Sequence, residues 1–158
     1  MKKCVLVLDN IRSVENAGSI FRTAEGFGVS KIILVGITPA PRDRFGRKRN
    51  DFAKVSLGAE DLISWEQESN IKSRILNLKS QGFHITALEQ HHNSIKLGSY
   101  EANKLDKLVL IVGSEVDGVS KEALELADSI VEIPMMGEKE SLNVSVATGV
   151  ALYHLNKI

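Results

Sequence analysis

Cysteine occurs once in the 158 residues, no apolar run is long, and the formal net charge is zero. Each scarcity excludes something. A lone Cys4 cannot close a disulfide within the chain. There is no CxxC pair and no Cys/His set at metal-ligand spacing, and His84 and His91-His92 lack a third ligand, so no metal is assigned. Cys4 lies in the run Cys4-Val5-Leu6-Val7-Leu8 and reads as a buried small hydrophobe. No stretch approaches the roughly 18 apolar residues of a membrane span. The short apolar run behind Met1-Lys2-Lys3 is too brief for a signal peptide, so the expectation is a cytoplasmic protein with no membrane partner. Lys+Arg and Asp+Glu number 20 each, which excludes a histone-like coat of positive charge but not a local basic patch. The length fits one domain over residues 1–158, able to bury roughly 68–70% of its unfolded surface without metal or disulfide.

What is present alternates between two patterns. Val5–Leu8, Lys31–Val35, His84–Leu88, Leu108–Val112 and Ile130–Ile133 read as strands. They are too continuously apolar for a sheet with one wet face, so helices are expected on both sides. Ala17, Ile20, Phe21, Ala24 and Phe27 follow the spacing of one helical face, with Gly28 placed as a C-terminal cap. Ile71, Ile75 and Leu78 predict a second helix closed by Gly82. Ser120 predicts the N-cap of a short helix through Leu124 and Ala127, and Val144, Ala147, Ala151 and Leu155 predict a last helix. The alternation predicts an α/β fold with a mostly parallel sheet. Thr38–Asp51 is too long for a plain connection.

Four regions could carry chemistry. Asn16 through Arg22 follows the first strand; Asn16 offers an amide at a helix mouth, Gly18 permits close backbone approach, and Arg22 falls opposite the apolar stripe. The bland reading is a cap and a solvated arginine. Gly113-Ser114-Glu115-Val116-Asp117-Gly118 follows a buried strand, at the end where open α/β sheets bind ligands. It is neither a GxGxxG fingerprint nor a Walker loop, and alone it is no more than a turn. Ile133-Pro134-Met135-Met136-Gly137 and Ser141-Leu142-Asn143-Val144-Ser145-Val146-Ala147 place small polar groups among apolar ones. Ser141 or Asn143 caps the last helix, or both line a pocket. Finally, Arg42, Arg44, Arg47, Lys48 and Arg49 face only Asp43 before Asn50. A solvated face is the ordinary reading of such a run; an arginine-rich loop beside a ligand site suits phosphate contacts. Phe45 either stacks on an unpaired base or anchors the loop.

In order and separation, the first three regions resemble the three signature motifs of the SpoU (TrmH) family of RNA ribose 2′-O-methyltransferases, of the SPOUT superfamily. The motifs are Asn16–Arg22; Gly113-Ser114-Glu115 with Gly118; and Ile133-Pro134-Met135 through Ser141–Ala147. The resemblance runs from Val5 to Tyr153. It implies a deep trefoil knot near the C-terminus, a homodimer, and S-adenosylmethionine as methyl donor. It implies Gly113, Ile133 and Leu142, with Leu88, as donor contacts, and Asn16, Arg22, Glu115, Ser141 and Asn143 as the catalytic set. Arg22 would stand at the reacting ribose, Glu115 would orient Asn16 or Arg22, and the active site would combine residues of two protomers. The last helix, through Val144, Ala147, Ala151 and Leu155, is the interface candidate, with core packing as the rival reading. Many members of that family carry an RNA-binding appendage. None is expected here, so the Arg42–Arg49 loop is the candidate for gripping RNA, with tRNA expected before rRNA. Two rivals stand: a non-catalytic RNA-binding module on the same fold, and an α/β nucleotide-binding or hydrolase domain. The second lacks a Walker motif, a GxGxxG and a nucleophile elbow.

Overall fold

A computed structural model describes residues 2–156; residues 1, 157 and 158 of the expected domain lie outside the described residues. The chain runs β1 (Lys3–Asp9), α1 (Val14–Gly26), β2 (Lys31–Val35), α2 (Asn50–Ser56), α3 (Ala59–Leu62), β3 (Ser64–Glu68), α4 (Ile71–Ser80), β4 (His84–Leu88), β5 (Ile95–Lys96), β6 (Lys107–Gly113), α5 (Lys121–Leu126), β7 (Ser129–Glu132) and α6 (Val144–Leu155). The strands form one sheet in the order β3-β2-β1-β6-β4-β7-β5, and every pairing between them is parallel. β6 and β7 are each inserted between strands placed earlier in the chain.

The expected helix-covered sheet is observed. Side chains alternate across each strand, so β1 sends Cys4, Leu6 and Leu8 to one face and Val5 and Val7 to the other. The first face packs against α1, α2, α3 and α6, and the second against α4 and α5. Ser13 caps α1, accepting from the Asn16 N–H at 3.1 Å, and Gly28, at φ +71°, turns the chain after its end. Gly18 is where α2 approaches α1. A Cβ there would lie 3.0 Å from Val55 Cβ and 3.3 Å from the Phe52 carbonyl oxygen, so its close approach serves packing. Phe21 and Phe52 then meet edge to face at 5.0 Å, a geometry worth about 0.5–1.5 kcal/mol beyond area burial.

Four elements escape the sequence pattern. β3 reads Ser-Trp-Glu-Gln-Glu and β5 has two residues, both at sheet edges where one side of the ladder meets solvent. α2 begins at Asn50, inside the expected 38–51 loop, behind an N-cap residue, Arg49, that makes no side-chain cap bond, and α3 is a single turn. The interface residues expected on α6 are corrected, though not the helix as a whole. Val144, Ala151 and Leu155 are buried in this chain's own core, the rival reading, and Ala147 is half-buried against a cavity.

Cys4 is 2% exposed, and burial pushes its thiol up to about 11, against a smaller opposing pull from Lys2. The folded chain therefore holds this proton above the ordinary value of 9.0, where the unfolded chain releases it. Stability from this group declines as pH rises from 9.0 towards 11. Native protein should leave Cys4 unmodified by a thiol reagent at pH 8, with full labelling only after unfolding in guanidinium.

Candidate active site

Parallel register gathers the chemistry at one sheet edge. Asp9 is paired with Gly113 across β1 and β6, Leu88 with Val112 across β4 and β6, and Leu88 with Val131 across β4 and β7. The carboxyl ends of four strands thus lie side by side, where the loops that follow them can build a crevice. A cavity of about 450 Å³ opens there. Its lining includes Leu88, Gly113, Ile133 and Leu142, all four of the expected donor contacts, together with Glu115 and Ser141.

The loop after β6 is held tightly closed. Gly118 N–H donates to the Ser114 carbonyl at 2.9 Å, and Asp117 N–H donates to Ser114 Oγ at 2.9 Å. The far side is pinned by two carboxylates: Val119 N–H donates to Glu89 Oε2 at 2.8 Å, and Ser120 N–H to Asp9 Oδ2 at 2.7 Å. Glycine is required at position 113, because a Cβ there would run into the Gly118–Val119 peptide. Gly118 stands at φ +68°, and a Cβ there would meet the Glu89 carboxylate. The Ile133–Leu142 segment lines the cavity from the side of β7, tied across by Gln90 Nε2, which donates to the Glu140 carbonyl at 2.6 Å.

At the rim, three expected catalytic residues meet. Asn16 Nδ2 donates to Glu115 Oε1, and Asn143 Nδ2 donates to Asn16 Oδ1 at 3.1 Å. The first motif is thereby joined to the second and third across 99 and 127 residues of chain. Asn143 takes the capping role, its Oδ1 also accepting from the Ser145 N–H at 2.9 Å at the start of α6, while Ser141 lines the cavity. An exposed ion pair, Arg12 to Asp117 at 3.1 Å, spans the same two loops.

Arg22 is not brought to this cluster. It is exposed on α1 and does not line the cavity, and no carboxylate pairs with it among the described residues. Sequence reasoning missed Glu89. Its signal was a carboxylate one residue beyond the carboxyl end of a buried strand, where an acceptor can hold a neighbouring loop.

The basic loop is more balanced than its sequence suggests. Lys48 Nζ lies 3.6 Å from both Glu60 Oε1 and Asp61 Oδ2, Arg49 pairs with Asp51 at 2.8 Å, and Arg47 with Asp43 at 2.9 Å. Burial pushes the Glu60 carboxyl up, but the Ser56 hydroxyl, its own backbone N–H and Lys48 together hold it below the ordinary value. Arg42 donates to the Gly46 carbonyl at 3.1 Å. Arg44 has no carboxylate partner among the described residues.

A model of the SpoU rRNA Methylase family matches residues 3–153. The 23S rRNA (guanosine-2'-O-)-methyltransferase RlmB of Vibrio parahaemolyticus is 33% identical over 151 residues, 94% of this chain and 57% of that enzyme. The tRNA (guanosine(18)-2'-O)-methyltransferase of Aquifex aeolicus is 31% identical over 156 residues, 99% of this chain and 70% of that enzyme. The chain thus spans just over half the length of the first of these relatives. Among solved structures, the A. aeolicus TrmH/SpoU tRNA modifying enzyme superposes with a TM-score of 0.84 at 29% identity, covering 99% of this chain and 75% of its own. The AdoMet-bound rRNA methyltransferase of Sinorhizobium meliloti gives 0.86 at 28% identity, over 97% and 55%.

Proposed function

The chain belongs to the SpoU rRNA Methylase family, and on that premise we propose that it transfers a methyl group from S-adenosylmethionine to a ribose 2′-hydroxyl of RNA. The observation that carries this reading is one juxtaposition: a cavity walled by Leu88, Gly113, Ile133 and Leu142, with the Glu115–Asn16–Asn143 network at its mouth. The lining fits the donor. Its volume lies within the roughly 300–1,000 Å³ of small-molecule sites, apolar side chains offer faces to a base, and bare backbone at Gly113 allows close approach.

S-adenosylmethionine, when bound, supplies an electrophilic methyl group. The residues of this chain then have three tasks. Leu88, Ile133 and Leu142 hold the donor between apolar walls, while backbone groups at Gly113 fix its polar edge. Glu115 accepts from the Asn16 amide and leaves Asn16 locked against Asn143, so the rim keeps its shape as RNA arrives; Ser141 lines the same mouth. The third task falls to Arg22. The 2′-hydroxyl must shed its proton as its oxygen forms the new C–O bond. Arg22 acts with a phosphate of the RNA: it positions that hydroxyl while a phosphate oxygen takes the proton, or takes the proton itself as the neutral guanidine, which its usual pKa above about 12 disfavours.

Arg22 is exposed and does not line the cavity of its own chain, which supports a reading in which it serves the cavity of a second copy, and the proposal therefore includes a homodimer. α6 offers a suitable face. Val146, Val150 and Tyr153 recur at i, i+4 and i+7, and all are exposed, Tyr153 by 65%; the Tyr153 ring lies 6.1 Å from that of Phe27. Sedimentation velocity at micromolar concentration should give a dimer. A fully active monomer would remove this part of the reading. The trefoil knot belongs to the same reading, supported by the insertion of β6 and β7 between earlier strands. So does a cytoplasmic location for a single catalytic domain, with tRNA the first substrate expected and rRNA the second.

Labelled S-adenosylmethionine incubated with total RNA, followed by nucleoside mapping, tests the activity. The expected product is a 2′-O-methylated nucleoside. Donor binding without transfer to any RNA would favour the non-catalytic module, and binding of ATP in place of the donor would favour the nucleotide-binding reading.

A further inference from the structure

We propose that Phe45 and the arginines around it form a subsite for one unpaired nucleotide of the RNA, separate from the donor cavity; this rests on the reading that the chain acts on RNA. The loop after β2 encloses an open cavity of about 630 Å³. Arg42, Arg44, Arg47 and Arg49 line it, with Phe45 and Thr38. None of these residues lines the first cavity.

Phe45 is 66% exposed, so its ring does not anchor the loop in the core. Two guanidiniums approach it instead: Arg44 lies 4.8 Å from the ring centroid and Arg47 5.0 Å. The tip is braced from beneath rather than left to fluctuate. Asp43 accepts from the N–H groups of Phe45 (2.9 Å) and Arg47 (3.0 Å) and from Arg47 Nε at 2.9 Å. Arg42 closes the turn through the Gly46 carbonyl. Such bracing holds an aromatic ring towards solvent, where apolar area is costly unless a ligand covers it.

Charge sorting narrows the ligand. Arg47, Lys48 and Arg49 already have carboxylate partners, whereas Arg42 and Arg44 have none among the described residues, and of these two Arg42 is tied to the Gly46 carbonyl. The tip therefore offers an exposed aromatic ring beside two guanidiniums whose charge no carboxylate offsets, Arg42 and Arg44, which matches a base joined to its phosphate. A paired base hides its faces in the helical stack, so the chemistry selects a loop or single strand over a duplex.

Fluorescence anisotropy tests this, with an end-labelled single-stranded RNA oligonucleotide and the same strand annealed to its complement, over a salt series. Phe45→Ala should weaken single-strand binding about 5- to 100-fold, with the salt slope unchanged and the duplex unaffected. Phe45→Tyr should restore the affinity. Arg44→Ala should lower the salt slope by about one. Wild-type affinity in Phe45→Ala, equal losses for single strand and duplex, or a wild-type preference for duplex would each overturn the subsite. Unchanged donor binding in calorimetry shows that the variants are folded. If wild-type protein methylates RNA while Phe45→Ala binds normally, the subsite alone fails. If Phe45-dependent binding is found without methyl transfer, the activity fails and the subsite stands.

Discussion

Replacing Gly113 with alanine is expected to abolish donor binding while leaving the fold intact. Gly113 ends β6, half-buried against the loop that returns at Gly118. The added Cβ would meet the carbonyl carbon and oxygen of Gly118 and the nitrogen of Val119, which are backbone atoms that no rotamer change can move aside. Displacing that peptide breaks the closure to Ser114 and the bond from Val119 N–H to Glu89, so the cavity wall shifts with it. Overpacking of this kind costs about 1–3 kcal/mol in itself. Because the strained loop is also the proposed binding surface, donor affinity should fall at least ~100-fold, each factor of ten being about 1.4 kcal/mol. Calorimetry with S-adenosylmethionine reads the loss, and far-UV circular dichroism with thermal unfolding confirms the fold. Gly118→Ala sets the scale. Its Cβ meets only the end of the Glu89 side chain, which can swing away, and its left-handed backbone costs roughly 1–2 kcal/mol. It should therefore lose less affinity than Gly113→Ala. Gly113→Ala binding the donor within about threefold of wild type would sink the assignment.

The parts legible in the sequence and the parts that were not divide along a physical line. β2 and β4 match their expected spans residue for residue, and β1, β6 and β7 extend or shift them by one or two residues at an end. β1, β2, β4 and β6 are buried on both faces along most of their length, so their composition is uniform, while β7 is half-buried apart from Val131. β3 was invisible because an edge strand keeps one side in water and tolerates Glu66, Gln67 and Glu68. α2 was invisible because its N-cap residue, Arg49, makes no side-chain cap bond and the helix is held by Phe52 against α1, a contact between residues 31 positions apart. The site divides the same way. Gly113 and Gly118 could be singled out because backbone constraint leaves a mark on residue type. The Asn143–Asn16–Glu115 chain could be grouped only through the family resemblance, since amide and carboxylate side chains carry no sign of which partner they will find. The basic run illustrates the converse. Its local excess of positive charge is real in sequence, yet Asp51 at the loop's end pairs with Arg49 and folding delivers Glu60 and Asp61 to Lys48 from beyond the loop. Counting charges over a window missed what α2 and α3 bring back.

Arg22→Lys should lower turnover by about 10²–10⁴-fold, the range for a group that handles a proton in the transition state, without changing donor affinity. The charge is kept and the geometry is lost. A guanidinium presents a planar fork that can hold a ribose hydroxyl and a phosphate oxygen together, which an ammonium cannot. Donor affinity is spared because the proposed donor contacts are Leu88, Gly113, Ile133 and Leu142, and Arg22 handles only the ribose hydroxyl. That separation yields a sharper experiment than either variant alone. Gly113→Ala removes the donor site and keeps Arg22; Arg22→Lys removes the arginine and keeps the donor site. If Arg22 works in the cavity of the second copy, mixing the two inactive proteins rebuilds one complete site in each mixed dimer. Equal amounts that exchange freely would form mixed dimers half the time, each with one working site of two, so activity should return to about a quarter of wild type. If Arg22 serves its own cavity, a mixed dimer contains one chain without a donor site and one without an arginine, and activity stays at the floor. Dilution and slow reconcentration ensures exchange, and co-expression with two affinity tags isolates the mixed species. An isolated mixed dimer that remains inactive would place the catalytic arginine within one protomer and remove the reason for pairing.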